Sequence, residues 1–302
     1  MSHLLSTFQR VRRGTAVGGG TGDEIAMSDF LEKLSKRFAA TGARLCVGLD
    51  PDPAKMPEAM AQGPAPLYEF CRRIVTAAAP YASAFKPNLA FFEAHGSDGI
   101  AQLEELVAEI PAEIPVILDA KRGDIGNTAR LYAKFLFEHL DGDAATVSPY
   151  LGADSLAPFF EFPGKIPFVL CLTSNPGSED LQTQTIGQRP VYHQVIEMAR
   201  RLGKPFGLVV GARHAALLAD VRQQAPSEPI LIPGVGAQGG DLGESLRIAA
   251  AGGASTLINV SRDILYASSG EDFAEAAGAK ARWYAEEMKR LLSSAPDQTD
   301  RQ

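Results

Sequence analysis

The chain has 302 residues, of which 45% are hydrophobic and 22% are charged, so it has ample apolar surface for a large core and disorder of the whole chain is excluded. Its formal net charge of −7 argues against a nucleic-acid polymer as partner, because phosphate backbones require clustered Lys and Arg side chains. No apolar stretch reaches the roughly 18 residues that span a bilayer, and the three cysteines form no Cys-x-x-Cys pair, so we expect a soluble cytoplasmic protein with no membrane partner, no disulfide framework and no zinc site.

The N-terminal segment, residues 1–26, has little hydrophobic periodicity and contains the run Gly18-Gly19-Gly20. We interpret it as a mobile extension, and it lacks the apolar run of a signal peptide. The periodic part of the sequence is predicted to form one domain over residues 27–292. Residues 293–302 are predicted to form a polar C-terminal tail.

Short β-rich runs alternate with helical patterns through this domain, which is typical of βα units around a parallel sheet. The eight runs are 44–50, 83–88, 115–121, 144–148, 167–173, 206–210, 229–233 and 255–260. Helical patterns such as Thr128–Leu140 lie between them. Because eight strands close an α/β barrel, we predict a single (β/α)8 TIM barrel with its active site at the C-terminal mouth of the strands. An open doubly wound sheet is the alternative, disfavoured because no Gly-x-Gly-x-x-Gly follows the first run.

The third run passes abruptly from apolar residues into Asp119-Ala-Lys121-Arg-Gly-Asp124. Side chains alternate along a strand, so Asp119 and Lys121 are predicted to point the same way, with Asp124 on the following loop. Charges at the C-terminal end of a barrel strand favour catalysis. A surface salt-bridge cluster at the start of a helix would give the same pattern, so this segment alone leaves both readings open.

Polar residues at the ends of other runs favour the catalytic reading. Asp50 ends the first run, and Lys86 and Asn88 share one face of the second. We predict that two lysines and three aspartates converge at one mouth. Neighbouring carboxylates favour the ammonium form of Lys121. An ammonium cannot form a Schiff base, but it can stabilise a carbanion and then protonate it. Asp119 would repel a substrate carboxylate until carbon dioxide leaves.

The loops after the seventh and eighth runs are candidates for a phosphate site. The seventh run continues into a glycine-rich stretch from Pro233 that contains Gln238, and Arg262 follows the eighth run. Barrels commonly bind phosphate on these two loops, where glycines allow backbone N–H groups to approach the anion and an arginine supplies a forked charge. Turn chemistry would also explain the glycines. Ser174, after the fifth run, could contact a heterocycle edge or simply belong to a turn.

These landmarks, in this order, resemble the orotidine 5′-phosphate decarboxylase family, especially the bacterial subgroup with the signature Asp-Ala-Lys-Arg-Gly-Asp-Ile-Gly-Asn-Thr, here residues 119–128. The resemblance covers about residues 29–292. It implies decarboxylation of orotidine 5′-phosphate to uridine 5′-phosphate, in pyrimidine biosynthesis, with no cofactor and no metal. It also implies that Lys86, Asp119, Lys121 and Asp124 form an alternating catalytic charge network, with Lys121 as proton donor to C6.

The resemblance further implies which residues bind the substrate. Asp50 and Lys86 would contact the ribose, Ser174 the pyrimidine, and Gln238 with Arg262 the phosphate. The full implied set of substrate-binding residues is Asp50, Asn88, Thr128, Ser174, Pro233, Gln238 and Arg262. The family pairs two barrels mouth to mouth, which implies a homodimer in which Asp124 and Thr128 reach the neighbouring site. Arg122-Gly123 stands where many family members have a bulkier pair, and the long stretch 180–189 and the N-terminal extension also depart from the family pattern.

Two other functions remain open. Related sugar-phosphate decarboxylases and aldolases share the Asp-x-Lys-x-x-Asp motif but use magnesium to stabilise an enediolate. Lys86 occupies the strand-two position that would matter for such a site, and a protonated lysine is a poor metal ligand. A barrel that only binds a phosphosugar is the second alternative, and it would need the phosphate site without the charge network, since unpaired buried charges are unfavourable.

Overall fold

A computed structural model describes residues 28–213, 215–234 and 241–294. The predicted extension over residues 1–26 and the predicted phosphate ligand Gln238 lie outside the described residues. The last helix ends at Ser293, and residues 295–302 of the predicted tail are likewise outside. No helix in the described ranges is long and apolar enough to cross a membrane.

The eight predicted strands are confirmed, and all are parallel. They are β1 Leu45–Leu49, β2 Ala84–Pro87, β3 Ile117–Arg122, β4 Ala144–Val147, β5 Ile166–Leu172, β6 Gly207–Val210, β7 Ile230–Pro233 and β8 Thr256–Val260. Their order in the sheet is β2-β1-β8-β7-β6-β5-β4-β3. Two isolated parallel bridges, Phe85 with Val116 and Asn88 with Asp119, join β2 to β3. They close the ring, so the predicted (β/α)8 TIM barrel is confirmed and the open doubly wound sheet is not observed.

Helices cover the outside of the ring. The α-helices are α1 Asp29–Thr41, α2 Glu58–Ala61, α3 Pro66–Ala78, α4 Leu89–Glu93, α5 Gly96–Glu109, α6 Gly126–Lys134, α7 Ala153–Leu156, α8 Val191–Arg200, α9 Ala215–Gln224, α10 Leu242–Ala249, α11 Arg262–Leu265 and α12 Phe273–Ser293. Short 3₁₀ turns occupy Pro53–Lys55, Ala157–Phe160, Pro176–Asp180 and Ala251–Gly253. A two-stranded hairpin, Thr185–Ile186 with Arg189–Pro190, lies within the long stretch after β5.

The helix predicted over residues 128–140 differs in detail. It begins at Gly126 and passes into a π-helical segment, Phe135–His139, before it ends. The π segment rotates later residues relative to a regular helix, and Leu136 and Leu140 are buried. Leu131, which has the helical spacing of these core residues, is instead 59% exposed.

The barrel is closed at its N-terminal end by α1. Ser28 caps this helix by accepting a hydrogen bond from the Leu31 N–H at 3.3 Å. Phe30 and Leu34 are buried against inward-facing side chains of the strands, and the Phe30 ring meets Phe168 edge-on at 5.7 Å. The opposite end, where the strands finish, is therefore the end open to ligands.

Candidate active site

A cavity opens at the C-terminal ends of the strands, and its walls come from β1, β2, β3, β7 and β8. The residues that line it are Asp50, Lys86, Asn88, Asp119, Pro233, Gly234, Asn259, Val260, Ser261, Arg262 and Asp263. Six residues predicted from the sequence are therefore gathered in one place, since this set includes Asp50, Lys86, Asn88, Asp119, Pro233 and Arg262. The position is the one where barrel enzymes carry their active sites.

Asp119 is the centre of the charge network. One carboxylate oxygen, Oδ2, accepts a hydrogen bond from Lys86 Nζ at 2.7 Å, and the other, Oδ1, accepts from Lys121 Nζ at 2.6 Å. The Thr146 hydroxyl also donates to Oδ1, at 2.9 Å. Lys86 is buried, whereas the Lys121 side chain is 52% exposed. The network thus has one buried and one solvent-accessible ammonium on the same carboxylate.

The backbone that carries this network is irregular. Leu118 of β3 pairs with Ala145 and Arg122 pairs with Val147, so four steps along β3 match two steps along β4. Lys121 takes a positive φ of 47°, which is uncommon outside glycine, and its N–H donates to the Thr146 hydroxyl at 2.9 Å. Asp119 and Lys121 therefore meet through a bulge, not through the plain alternation expected from the sequence.

Burial and charge act in opposite directions on the two buried members of the network. Burial by itself raises the pKa of Asp119, but the ammonium groups of Lys86 and Lys121 outweigh it and hold that pKa well below its usual range. Burial by itself lowers the pKa of Lys86, but the carboxylates of Asp119 and Asp50 outweigh it and raise that pKa. Both groups are therefore charged at neutral pH.

Asp50 and Asn259 contribute buried acceptors to the cavity. Asp50 Oδ1 and Asn259 Oδ1 have no hydrogen-bond partner among the described residues. The main chain beside Asp50 is held by Tyr266, whose hydroxyl donates to the Asp50 carbonyl at 2.7 Å and accepts from the Asp52 N–H at 2.8 Å. These two unpaired acceptors are ready to receive donors from a ligand, because a buried polar atom without a partner is unfavourable.

The end of the cavity predicted to bind phosphate lies only partly within the described residues. Pro233, Gly234 and Arg262 line the cavity, and the Arg262 side chain is exposed with no hydrogen bond or ion pair to any described residue. A Cβ added at Gly48 of β1 would lie only 1.8 Å from Ser261 Oγ, so the β1 and β8 ends are in close contact. A forked cation that faces the cavity with its donors unpaired fits an anionic group there.

Four predicted residues do not line this cavity: Lys121, Asp124, Thr128 and Ser174. Of these, Lys121 is joined to it through its bond to Asp119. Asp124 accepts a hydrogen bond from the Ile125 N–H at 2.8 Å, and Thr128 lies in a separate groove beside α6. Ser174 follows β5, and its carbonyl accepts a hydrogen bond from Arg213 at 3.4 Å. Within a single chain the structure therefore leaves Asp124 and Thr128 outside the network that surrounds Asp119.

Sequence reasoning missed Thr146, Asn259 and Tyr266. Thr146 lies in an apolar strand, where a β-branched residue is ordinarily core. Asn259 carried a usable signal, since it is an amide near the end of an otherwise apolar run. Tyr266 had none, because its partner Asp50 is 216 positions away in the chain.

The residues do not form an obvious metal centre. Within the described ranges, no group of three or more His, Cys, Asp or Glu side chains is placed to hold a metal ion. The Asp119 carboxylate is bonded to Lys86 and Lys121 instead. The chemistry available from the described side chains is electrostatic stabilisation and proton transfer.

The fold and this site define a class: a (β/α)8-barrel enzyme with an alternating lysine–aspartate network that shares its cavity with an arginine. Residues 43–277 match the model of the orotidine 5′-phosphate decarboxylase / HUMPS family. The chain belongs to this family, as the resemblance in its sequence predicted.

Proteins similar to this chain have the same description. It is 51% identical over 259 residues to the orotidine 5′-phosphate decarboxylase of Roseiflexus castenholzii, covering 84% of this chain and 95% of that protein. It is 46% identical over 263 residues to that of Delftia acidovorans, with 84% and 95% covered. The solved structure of Leishmania donovani OMP decarboxylase is 43% identical with a TM-score of 0.76, covering 89% of this chain and 100% of that chain.

Proposed function

We propose that the protein is a carboxy-lyase that converts orotidine 5′-phosphate to uridine 5′-phosphate and carbon dioxide, without a cofactor, in the cytoplasmic synthesis of pyrimidine nucleotides. The observation that carries the proposal is the carboxylate of Asp119, held between two ammonium groups at 2.7 and 2.6 Å and facing the same cavity as Arg262. Family membership supports it.

In the proposed reaction, the bond between C6 of the pyrimidine and the substrate carboxylate breaks. The electron pair stays on C6 and carbon dioxide leaves. The ammonium of Lys121 then donates a proton to C6, and because this side chain is 52% exposed, the resulting amine can regain a proton from solvent. Atoms and charge balance without an external oxidant or reductant.

The fixed charges would act mainly in the transition state. Asp119 stays ionised and would lie beside the substrate carboxylate, where like charges repel until carbon dioxide departs. Lys86 and Lys121 would stabilise the negative charge that develops on C6, since they are already positioned and need no reorganisation. The site is therefore proposed to bind the transition state better than the substrate.

We assign the substrate's other groups to the remaining cavity residues. The guanidinium of Arg262, with Gln238 and the backbone beside Pro233, would bind the phosphate. Asp50, with its unpaired buried Oδ1, would accept a ribose hydroxyl hydrogen, assisted by Lys86. Asn88, whose side chain caps α4 by accepting from the Ala90 N–H, is a supporting contact. Ser174 would contact the pyrimidine.

We also propose that the protein is a homodimer with shared active sites. Four large apolar side chains are exposed on α6 and the loops after β3 and β4, namely Ile125 at 59%, Leu131 at 59%, Tyr150 at 77% and Leu151 at 48%. Asp124 and Thr128 belong to the same region of the chain. A second copy that covers this face would exclude its apolar area from water and bring Asp124 and Thr128 to the neighbouring cavity.

Mixing two inactive variants tests the shared site. Lys121→Ala and Asp124→Ala chains, denatured and refolded together, would form mixed dimers in which one of the two sites is intact. Random pairing then predicts recovery of about one quarter of wild-type activity. If Asp124 acted within its own chain, every site in the mixture would be defective and no activity would return.

An ultraviolet assay of the purified protein with orotidine 5′-phosphate, with and without a chelator, tests the reaction itself. We expect the same rate in both, because the proposed chemistry uses no metal ion. A rate that depends strictly on magnesium would favour the sugar-phosphate reaction of related barrels. Nucleotide binding without release of carbon dioxide would instead identify a binding protein.

A further inference from the structure

Thr146 occupies an unusual place beneath the charge network. It is the residue of β4 between Ala145 and Val147, directly opposite the bulge of β3, and it is only 1% exposed. Its hydroxyl donates to Asp119 Oδ1 at 2.9 Å and accepts from the Lys121 N–H at 2.9 Å. One buried side chain thus bonds both residues at the centre of the proposed chemistry.

The bulge explains why such a residue is required. With two extra residues on β3, the Lys121 N–H loses a β4 carbonyl as its partner and instead donates to a side-chain hydroxyl. Lys121 is also held at a positive φ of 47°, a conformation that persists only when surrounding contacts fix it. The Thr146 hydroxyl supplies that contact.

The same hydroxyl fixes the orientation of the Asp119 carboxylate. Oδ1 is the oxygen that Lys121 Nζ contacts at 2.6 Å, whereas Oδ2 is bonded to Lys86. A donor on Oδ1 therefore keeps the carboxylate plane turned so that each oxygen faces one ammonium. Small displacements of such groups have large effects on rate, since about 1 Å of misplacement can reduce turnover on the order of 10²-fold.

We infer that Thr146 is a positioning residue that sets the Lys121 ammonium and the Asp119 carboxylate in their reactive geometry without itself contacting the substrate. The inference rests on the proposed function of these two residues. It predicts an effect on the chemical step with little effect on substrate binding, because the proposed phosphate and ribose contacts lie at the ends of β1, β2, β7 and β8 and none of them is bonded to Thr146.

Two substitutions separate the hydroxyl from the shape of the side chain. Thr146→Val keeps the branched shape and removes the hydroxyl, and we expect kcat to fall on the order of 10²-fold with KM within about 3-fold of wild type. Thr146→Ser keeps the hydroxyl, and we expect it to restore kcat to within about 5-fold of wild type. Thr256→Val is the matched control, and its kcat should be unchanged. Thr256 is another buried threonine, at the start of β8, and its hydroxyl donates to the carbonyls of Ala249 and Ala254.

Crystal structures of wild type and Thr146→Val at one pH give a readout that does not depend on activity. We expect the Lys121 backbone to leave its positive φ, or the contact between Lys121 Nζ and Asp119 Oδ1 to lengthen beyond hydrogen-bond distance. Unchanged geometry, a Val variant with near-normal kcat, or a Ser variant as slow as Val would overturn the inference. If wild type released no carbon dioxide, the proposed reaction would be refuted. The two crystal structures would still show whether Thr146 positions Lys121 and Asp119.

Discussion

Replacing Asp119 and replacing Lys121 should have the same effect on activity and different effects on stability. Asp119→Ala removes the partner of Lys86, which is only 4% exposed and bonded to that carboxylate at 2.7 Å. Leaving a buried charge without its partner destabilises a fold by about 3–5 kcal/mol. Lys121→Ala removes a half-exposed ammonium, and exposed ion pairs contribute about 0–1 kcal/mol.

The expected gap between the two variants is therefore about 3 kcal/mol, with Asp119→Ala the less stable. For a domain of this size that gap corresponds to a difference in melting temperature of about 6–12 °C. Thermal unfolding followed by circular dichroism measures it, and the decarboxylation assay should show both variants reduced by many orders of magnitude. Lys36→Ala is a suitable control, since it removes an exposed ion pair with Glu32 on α1 and should change neither quantity.

The pH dependence of the gap tests its cause. Without Asp119, burial is the dominant influence on Lys86 and lowers its pKa below the value in the unfolded chain. The unfolded state then binds more protons than the folded state, so the stability of Asp119→Ala should rise as the pH is raised toward about 10. Equal destabilisation by the two substitutions, or a gap that does not narrow at high pH, would refute this reasoning.

Three further predictions concern Arg262, Tyr266 and the stability of the wild-type protein at low pH. Arg262→Ala should raise KM and reduce kcat/KM at least about 10-fold, because the charged hydrogen bonds to the phosphate are lost. Arg282→Ala, on the exposed face of α12, is the control and should change neither constant in steady-state kinetics. Tyr266→Phe removes a hydroxyl that bridges two backbone groups of the β1 loop, so we expect a loss of about 1–2 kcal/mol in chemical denaturation. The lowered pKa of Asp119 contributes stability that is complete above about pH 4 and is lost as the pH falls further, so wild type should lose more stability than Asp119→Ala between about pH 5 and pH 2.

The strands were predictable because each is a short apolar run bounded by turns, and burial on both faces of a parallel strand leaves that mark in the sequence. The helix boundaries were less predictable. Helix α6 begins at Gly126 with no side-chain cap, so it carries no sequence signal for its start. Leu131 faces solvent in the single chain, although its spacing is that of a core residue.

The charged residues of the site were predictable for a similar reason, since Asp119 and Lys121 follow directly on a buried strand. Their geometry was not predictable. It depends on a register shift between β3 and β4 and on the Thr146 hydroxyl, which belong to pairs of strands and not to any one segment. In the proposed homodimer, the positions of Asp124 and Thr128 relative to a catalytic site would depend on a second copy of the chain, which no single-chain pattern encodes.

The buried polar groups that do not favour stability are concentrated at one end of the barrel. Apolar residues of similar volume would stabilise the core as well as the buried pair of Lys86 and Asp119 does, or better. The buried acceptors of Asp50 and Asn259, which have no partner in the part of the chain that the structure describes, are unfavourable by about 1–3 kcal/mol each. All of these groups line one cavity, while the N-terminal end is closed by apolar contacts around Phe30. Stability alone does not account for this distribution. It is the distribution expected of a site whose charges must be in place before the substrate binds.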